Sequence, residues 1–282
     1  MLNLQSSIAQ LLNWAYQQLD GGESPKLDAR VLLSHCLQKN TTYLLTWPEK
    51  IPSPEQVNQF QQLVLQRQTG RPVAYLIGYR DFWTLQLEVS ENTLIPRPET
   101  ELMIELALQL PLPEQAKVLD LGTGTGAIAL SLAKENPAWS VTAVDVVDEA
   151  VDLAKRNAKS NGIADVEFFQ SDWFTQLGST KFDLIVSNPP YVEANSEYLD
   201  EGDVRFEPKS ALTSGVDGMD DIKHIVATAP TYLNKGGWLM IEHGFQQSEL
   251  VAETFRHHHF SDILHHQDLN GALRITQAKS SK

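Results

Sequence analysis

The chain has 282 residues, 42% of them hydrophobic, which is enough for two compact domains that each bury a core. Its formal net charge of −14 removes the global attraction for phosphates on which nonspecific nucleic-acid affinity rests, and points instead to a protein substrate, one with a basic surface being the natural complement. The single cysteine, Cys36, excludes an internal disulfide framework, no apolar run is as long as a transmembrane helix, and the first twenty residues contain no Lys or Arg to start a signal peptide, so a cytoplasmic protein with no membrane association is expected.

In chain order, helical spacing of apolar residues runs over 2–19, 27–38 and 54–68, broken by Gly21-Gly22, Thr41-Thr42 and a proline-rich stretch. This predicts a small helical N-terminal domain, residues 1–72. Residues 81–95 alternate like two strands around Ser90-Glu91-Asn92, which predicts a hairpin in a linker of residues 73–100, ahead of a helix starting near Pro98. After Ala116, strands and helices alternate, the pattern of an α/β domain with a mainly parallel sheet covered on both faces. The predicted strands are 117–121, 140–145, 166–170, 182–187, 237–242, 261–267 and 272–276, within a catalytic domain of residues 101–282. There is no internal repeat.

The first of these strands runs directly into Gly122-Thr123-Gly124-Thr125-Gly126, and a helix follows over 127–134. Alternate glycines let the backbone turn sharply and approach a ligand, while the helix N-terminus presents unpaired N–H groups. Asp145 ends the next strand about twenty residues on, where a carboxylate can accept both hydroxyls of a ribose. A nucleoside cofactor is therefore expected. Gly122, Gly124 and Ala127 also satisfy a relaxed dinucleotide pattern, but Asp120, just before the loop, suits a cationic amino-acid ligand better than a pyrophosphate. This favours S-adenosylmethionine over a nicotinamide. Each acid also has a structural alternative: Asp145 as a strand end beside Asp148, which could cap the next helix, and Asp120 as an acceptor for loop N–H groups.

Asn188-Pro189-Pro190-Tyr191 follows the strand 182–187. An amide or aryl amine nitrogen shares its lone pair with the adjacent π system and attacks poorly, so it must be held in place. The Asn188 side-chain carbonyl and the Pro189 backbone carbonyl can each accept one N–H of an NH2 group and aim it at a methyl donor. The prolines stiffen the loop, and Tyr191 is placed to stack on a planar group. No strong base is needed, because the N-methylated cation is far more acidic than the neutral amide. The pattern points to methyl transfer onto a planar nitrogen.

Several segments together resemble the protein-glutamine methyltransferases that modify peptide chain release factors: Arg71-Pro72-Val73-Ala74-Tyr75-Leu76-Ile77-Gly78, Phe82-Trp83, Leu94-Ile95-Pro96-Arg97-Pro98-Glu99-Thr100-Glu101, the loop from Asp120 to Gly126, and Asn188 to Tyr191. Adenine and guanine methyltransferases share the last two, while the Ile-Pro-Arg-Pro-Glu-Thr-Glu run is specific to this family. The resemblance covers nearly the whole chain. It implies a seven-stranded, Rossmann-like methyltransferase sheet, with S-adenosylmethionine on Gly122 to Gly126, Asp145, Trp173 and Asn188, and Trp173 beside the adenine. It also implies that the acceptor is the glutamine of a Gly-Gly-Gln loop in class I peptide chain release factors. Ser214-Gly215-Val216-Asp217-Gly218-Met219 departs from the family pattern of two consecutive glycines and a final Leu, which leaves that loop's shape open.

Trp173, after the strand 166–170, is either a ligand contact or a core aromatic. Arg97, between Pro96 and Pro98, suits a lid over the substrate or a strut between domains. Tyr198, Glu207 and Pro208 lie in a long irregular stretch of the kind that frames a substrate. His257-His258-His259 and His265-His266 are read as solvated surface residues, and no metal is expected. Three functions stand: a protein-glutamine methyltransferase, an exocyclic-amine methyltransferase of adenine or guanine in nucleic acid, and a noncatalytic module with a nucleoside pocket. Charge and the Ile-Pro-Arg-Pro segment favour the first.

Overall fold

The computed structural model describes residues 3–281. The predicted helix start at Leu2 and the last residue, Lys282, lie outside the described residues. The chain divides into two compact units, one running to Gly78 and including Glu201–Phe206, the other comprising Tyr79–Asp200 and the residues from Glu207 onward.

The first unit is helical: α1 (Ile8–Gln18), α2 (Pro25–Leu37), α3 (Thr41–Thr46), α4 (Pro54–Gln68) and α5 (Val73–Ile77). Both α1 and α4 begin with capping boxes, Ser7 with Gln10 and Ser53 with Gln56, which satisfy orphan N–H groups of the first turn. The apolar residues that recur at helical spacing, Ile8, Leu11, Leu12 and Ala15 on α1 and Val57, Phe60 and Val64 on α4, meet Leu32 and Leu33 of α2 in one core. Thr41-Thr42, expected as a break, instead opens α3. The Asn40 side chain accepts the Tyr43 N–H at 2.9 Å, so an Asn cap outweighs the low helix propensity of two threonines. Arg67 binds Asp28 at 2.7 Å and Asp203 at 2.6 Å, which ties the distant segment Glu201–Phe206 into this unit.

The second unit opens with an antiparallel hairpin, β1 (Tyr79–Phe82) and β2 (Leu85–Glu88). Its turn is Trp83-Thr84, not Ser90-Glu91-Asn92. A two-residue hairpin loop needs a positive φ to match the strand twist, and Trp83 supplies it at 53°. Nothing in a Trp-Thr pair announces this. The cost is offset by the Trp83 backbone N–H and indole N–H, which donate to Glu101 and Glu135, each at 2.7 Å. Ser90 to Thr93 does form a turn, closed at 3.2 Å, but outside the hairpin.

A 3-10 turn at Pro98–Thr100 leads into α6 (Glu101–Gln109), and the sheet follows: β3 (Lys117–Leu121), α7 (Ala127–Glu135), β4 (Ser140–Asp145), α8 (Asp148–Ser160), β5 (Val166–Gln170), β6 (Phe182–Ser187), α9 (Asp220–Thr228), β7 (Leu233–Glu242), α10 (Ser248–His257), β8 (Phe260–Gln267) and β9 (Leu273–Ser280). The seven strands are ordered β5-β4-β3-β6-β7-β9-β8, parallel except for β9, which runs against both its neighbours. The first four sheet strands fall on the predicted residues, while β7 starts four residues before the predicted 237 and β9 ends four after the predicted 276. Alternate residues feed two cores: Val118, Leu184, Val186 and Met240 on one face, and Leu119, Leu121, Ile185 and Leu239 on the other. Each such fully buried aliphatic side chain contributes about 1.5–3 kcal/mol, which holds the central strands rigid beneath the loops at their ends.

Candidate active site

The strand order reverses at β3, and three chain segments leave the sheet side by side there. Leu121 pairs with Val144 of β4 and with Ser187 of β6, so Gly122, Asp145 and Asn188 emerge at one edge. Open α/β sheets form their ligand crevice at such a point.

The glycine loop is built from backbone bonds that require its glycines. Gly122 and Thr123 both donate to Val144 O at 2.9 Å, and Gly126 donates to Thr123 O at 2.8 Å. Gly122, Gly124 and Gly126 have φ of 73°, 54° and 84°, in the left-handed region. A Cβ on Gly126 would stand 3.0 Å from Leu130 and 3.2 Å from Ala154, whereas one on Gly124 would meet nothing within 4 Å. Gly126 therefore serves helix packing, and Gly124 faces open space.

Asp120 lies under the loop, fully buried. Its Oδ2 accepts from Thr123 Oγ1 at 2.7 Å and from the Ala129 N–H at 3.2 Å, and its Oδ1 has no partner. Burial pushes its carboxyl up to about 7. Asp145 accepts the Gly124 N–H at 2.9 Å and the Val147 N–H at 3.0 Å. Burial raises its pKa, and the backbone N–H groups oppose that rise. Asp145 thus shapes both the loop tip and the entry to α8, while Asp148 makes no cap. A residue the sequence did not single out, Asn157, anchors the loop from below, donating to Thr125 O at 2.9 Å and accepting the Glu88 N–H at 2.7 Å.

The loop and Asp145 border a cavity of about 290 Å³ whose wall includes Gly122, Thr125, Asp145, Trp173, Asn188 and Arg97, while Asp120 and Asn157 lie behind that wall. Trp173 takes a left-handed φ of 46°, and its ring edge stands about 3.5 Å from where a Gly122 Cβ would lie. Asp172 and Asp221 also border the space, so its charged groups are three carboxylates and Arg97. This donor set fits S-adenosylmethionine: a carboxylate for the ribose, an aromatic plane for the adenine, and an acidic surround for a cationic amino acid. A pyrophosphate would meet repulsion from the same wall.

On the acceptor side, Asn188 Nδ2 donates to Thr100 Oγ1 at 3.1 Å, and Thr100 Oγ1 donates to Glu242 at 2.7 Å. The Tyr191 hydroxyl donates to the other oxygen of Glu242 at 3.4 Å. Glu242 is buried, and its carboxyl is pushed up to about 7, mainly by desolvation. Burial raises the Tyr191 pKa as well. Pro190 borders the cavity. Pro189 and Tyr191 lie outside that wall, with the Tyr191 ring packed on the second core cluster. Gln247 holds the Tyr191 carbonyl at 3.0 Å, and Gly218 passes so close that a Cβ there would sit 2.2 Å from it. The segment Ser214 to Met219 thus backs the loop from Asn188 to Tyr191, with left-handed glycines at 215 and 218.

Arg97 is ion-paired with the buried Glu207, which also accepts the Ile95 N–H at 2.9 Å. Both residues belong to the second unit. Tyr198 is exposed, and the irregular stretch contains three 3-10 turns, at Glu197–Asp200, Val204–Phe206 and Lys209–Ala211. The histidines divide. His257 and His259 are exposed, but His265 and His266 are half-buried on β8, and His265 Nδ1 lies 2.8 Å from Thr276 Oγ1. Reading the whole run as solvated is thus corrected, because pairing with β9, His265 opposite Thr276 and His266 opposite Ile275, partly covers this pair. Among the described residues no group of three or more His, Cys, Asp or Glu is arranged to hold a metal ion.

The sheet order, the glycine loop and the acidic, aromatic-walled cavity define a Rossmann-like S-adenosylmethionine-dependent methyltransferase. Solved structures share the fold: a methyltransferase from Pyrococcus furiosus (TM-score 0.53, 20% identity, 78% of this chain and 97% of that one) and the hMettl16 catalytic domain bound to an RNA hairpin (TM-score 0.59, 17% identity, 80% and 82%). The "Methyltransferase small domain" family model matches residues 99–202, and the "PrmC N-terminal domain" model matches residues 10–78. The release factor glutamine methyltransferase of Aliivibrio fischeri is 50% identical over 96% of both chains, that of Shewanella oneidensis 51% over 98% of this chain and 96% of its own, and that of Escherichia coli 45% over 94% and 96%. The chain belongs to the release factor glutamine methyltransferase family.

Proposed function

We propose that this protein transfers a methyl group from S-adenosylmethionine to the side-chain amide nitrogen of the glutamine in the Gly-Gly-Gln loop of class I peptide chain release factors, in the cytoplasm. The observation that carries the reading is that likeness to release factor glutamine methyltransferases runs through the whole chain, the N-terminal residues 10–78 as well as those that build the site. A fold shared with an RNA-bound enzyme at 17% identity carries no comparable weight for a nucleic-acid acceptor.

When bound, the donor supplies an electrophilic methyl on a sulfonium. The residues of this chain bind and orient. Asp145 offers its carboxylate to the ribose and Trp173 its ring to the adenine, while Asp172 and Asp221 on the cavity wall favour a cationic ligand and Asp120 orders the loop from beneath through Thr123 and Ala129. Asn188 Oδ1 and the Pro189 carbonyl hold the two N–H groups of the glutamine amide, which orients on the methyl group a nitrogen whose delocalised lone pair attacks poorly. Pro190 and Arg97 line the approach, Arg97 fixed by Glu207, and Tyr191 braces the loop from behind.

The first unit is assigned to docking the folded factor, an assignment supported by its exposed apolar residues Leu45, Trp47 and Ile51. Incubating the protein with S-adenosylmethionine and a release factor, followed by mass spectrometry, should add one methyl group to the glutamine-bearing peptide. A short Gly-Gly-Gln peptide should be methylated slowly, because it lacks the remote contacts that orient the loop. Transfer to an adenine or guanine amine in DNA or RNA, with none to the factor, would replace this reading with the nucleic-acid one.

A further inference from the structure

Asn188 can receive a substrate NH2 group only if its oxygen faces the acceptor, and nothing in Asn188 itself decides this. The two ends of an Asn side chain have nearly the same shape, and the hydrogen bonds around them set which points where.

Two residues from distant parts of the chain surround the choice. Glu242, at the end of β7, is fully buried, with Oε2 2.7 Å from Thr100 Oγ1. Thr100, in the 3-10 turn before α6, lies 3.1 Å from Asn188 Nδ2. An ionised carboxylate only accepts, so the single hydroxyl proton of Thr100 is committed to Glu242. What Thr100 then turns toward Asn188 is a lone pair, and only an NH2 can meet a lone pair. Among the described residues Asn188 Oδ1 makes no hydrogen bond, and Asn188 borders the cavity.

We propose that Thr100 and Glu242 are positioning residues that hold the Asn188 amide with its NH2 inward and its oxygen toward the glutamine nitrogen. The proposal rests on the amide-methylation reading for its catalytic consequence, but the locked amide itself does not. It also has a consequence for pH. Glu242 faces Thr100, the Tyr191 hydroxyl, Arg274 of β9 and Glu99 of the 3-10 turn. Desolvation lifts its carboxyl to about 7, while Thr100, Arg274 and Tyr191 pull down and Glu99 pushes further up. A protonated Glu242 can donate to Thr100, which frees the hydroxyl proton for Asn188 and lets the amide turn over. Turnover should therefore rise through about pH 7, with an acid limb that requires both Glu242 and the Thr100 hydroxyl.

The test compares Thr100→Val, nearly isosteric but without the hydroxyl, with Thr100→Ser, which keeps it. The Val variant should lose about tenfold or more in kcat on the whole release factor, keep donor affinity within about twofold, and lose the acid limb, while the Ser variant restores all three. The side-chain 15N resonances of Asn188, recorded without substrate, should show one slowly exchanging amide proton in the wild type and the Ser variant but none in the Val variant. Wild-type kcat in the Val variant, equal impairment of Ser and Val, or an unprotected Asn188 amide in the wild type would each overturn the proposal. Failure of the wild type to methylate any release factor, with the amide proton protected as expected, would instead refute the assigned acceptor and leave the locked amide standing.

Discussion

Asp145 accepts the backbone N–H of Gly124 at 2.9 Å, so the end of β4 fixes the tip of the loop that leaves β3. The carboxylate proposed to recognise a ribose and the loop beside it are in this way one mechanical unit. Asp145→Asn keeps the shape but removes the charge that strengthens its bonds to two hydroxyls. Calorimetric titration should show S-adenosylmethionine binding weakened by about 1 to 3 kcal/mol. Unchanged affinity would reduce Asp145 to its capping of Val147.

Asn188→Ala deletes the acceptor for the attacking nitrogen and leaves the glycine loop intact. Single-turnover rates with saturating donor should fall about a hundredfold or more, by analogy with other single oriented hydrogen-bonding groups. Donor affinity should change little by comparison. A near-normal rate would remove Asn188 from the chemistry.

Two glycines of one loop should respond differently to the same substitution. Gly126→Ala combines a φ of 84° with a Cβ pressed to 3.0 Å from Leu130 and 3.2 Å from Ala154 at the start of α7, so chemical denaturation should show a loss of about 1 to 3 kcal/mol. Gly124→Ala has open space, so its stability cost should be smaller and its main effect a loss of donor affinity. Equal stability losses in the two variants would contradict the assignment of Gly126 to packing and Gly124 to the ligand.

The buried acid Asp120 makes a signed prediction for stability. Burial holds its folded carboxyl at about 7, above its ordinary value of 3.8, so between those values the folded state holds a proton that the unfolded chain has released. The stability it contributes is present below the lower value and is lost as pH rises through the higher one. Asp120→Asn, which can keep an oxygen for Thr123 and Ala129 and cannot ionise, should therefore gain in Tm relative to the parent as pH rises from about 4 to about 8. His243 works in the opposite direction, since burial holds its pKa down to about 4 and its contribution is lost as pH falls below the ordinary imidazole value of 6.5. Thermal melts of parent and variant across that range isolate Asp120, because His243 is common to both. A Tm difference independent of pH would show that Asp120 stays in one protonation state throughout.

Much of this architecture is local, and local patterns are what a sequence displays. Residues 117–121, 140–145 and 182–187 form strands as the apolar runs predict, because a central parallel strand covered on both faces is largely apolar, and the edge strand 166–170 also falls on its predicted residues. The glycine loop, Asp145 and Asn188 are equally legible, since each follows its strand directly and the strand ends align at the switch point. The hairpin turn at Trp83-Thr84 was not legible, because its strained φ is supported by Glu101, 18 residues away in the chain. Nor were Thr100 and Glu242. They lie 142 residues apart, and their meeting depends on where the 3-10 turn settles over the end of β7. A hydrogen bond between such residues leaves no spacing in the chain to read. The sequence by itself therefore marked the groups proposed to bind and the kind of nitrogen acceptor they suit, while only the tertiary structure decided which way the Asn188 amide points, because a buried carboxylate from another strand takes up the one proton that could have turned it.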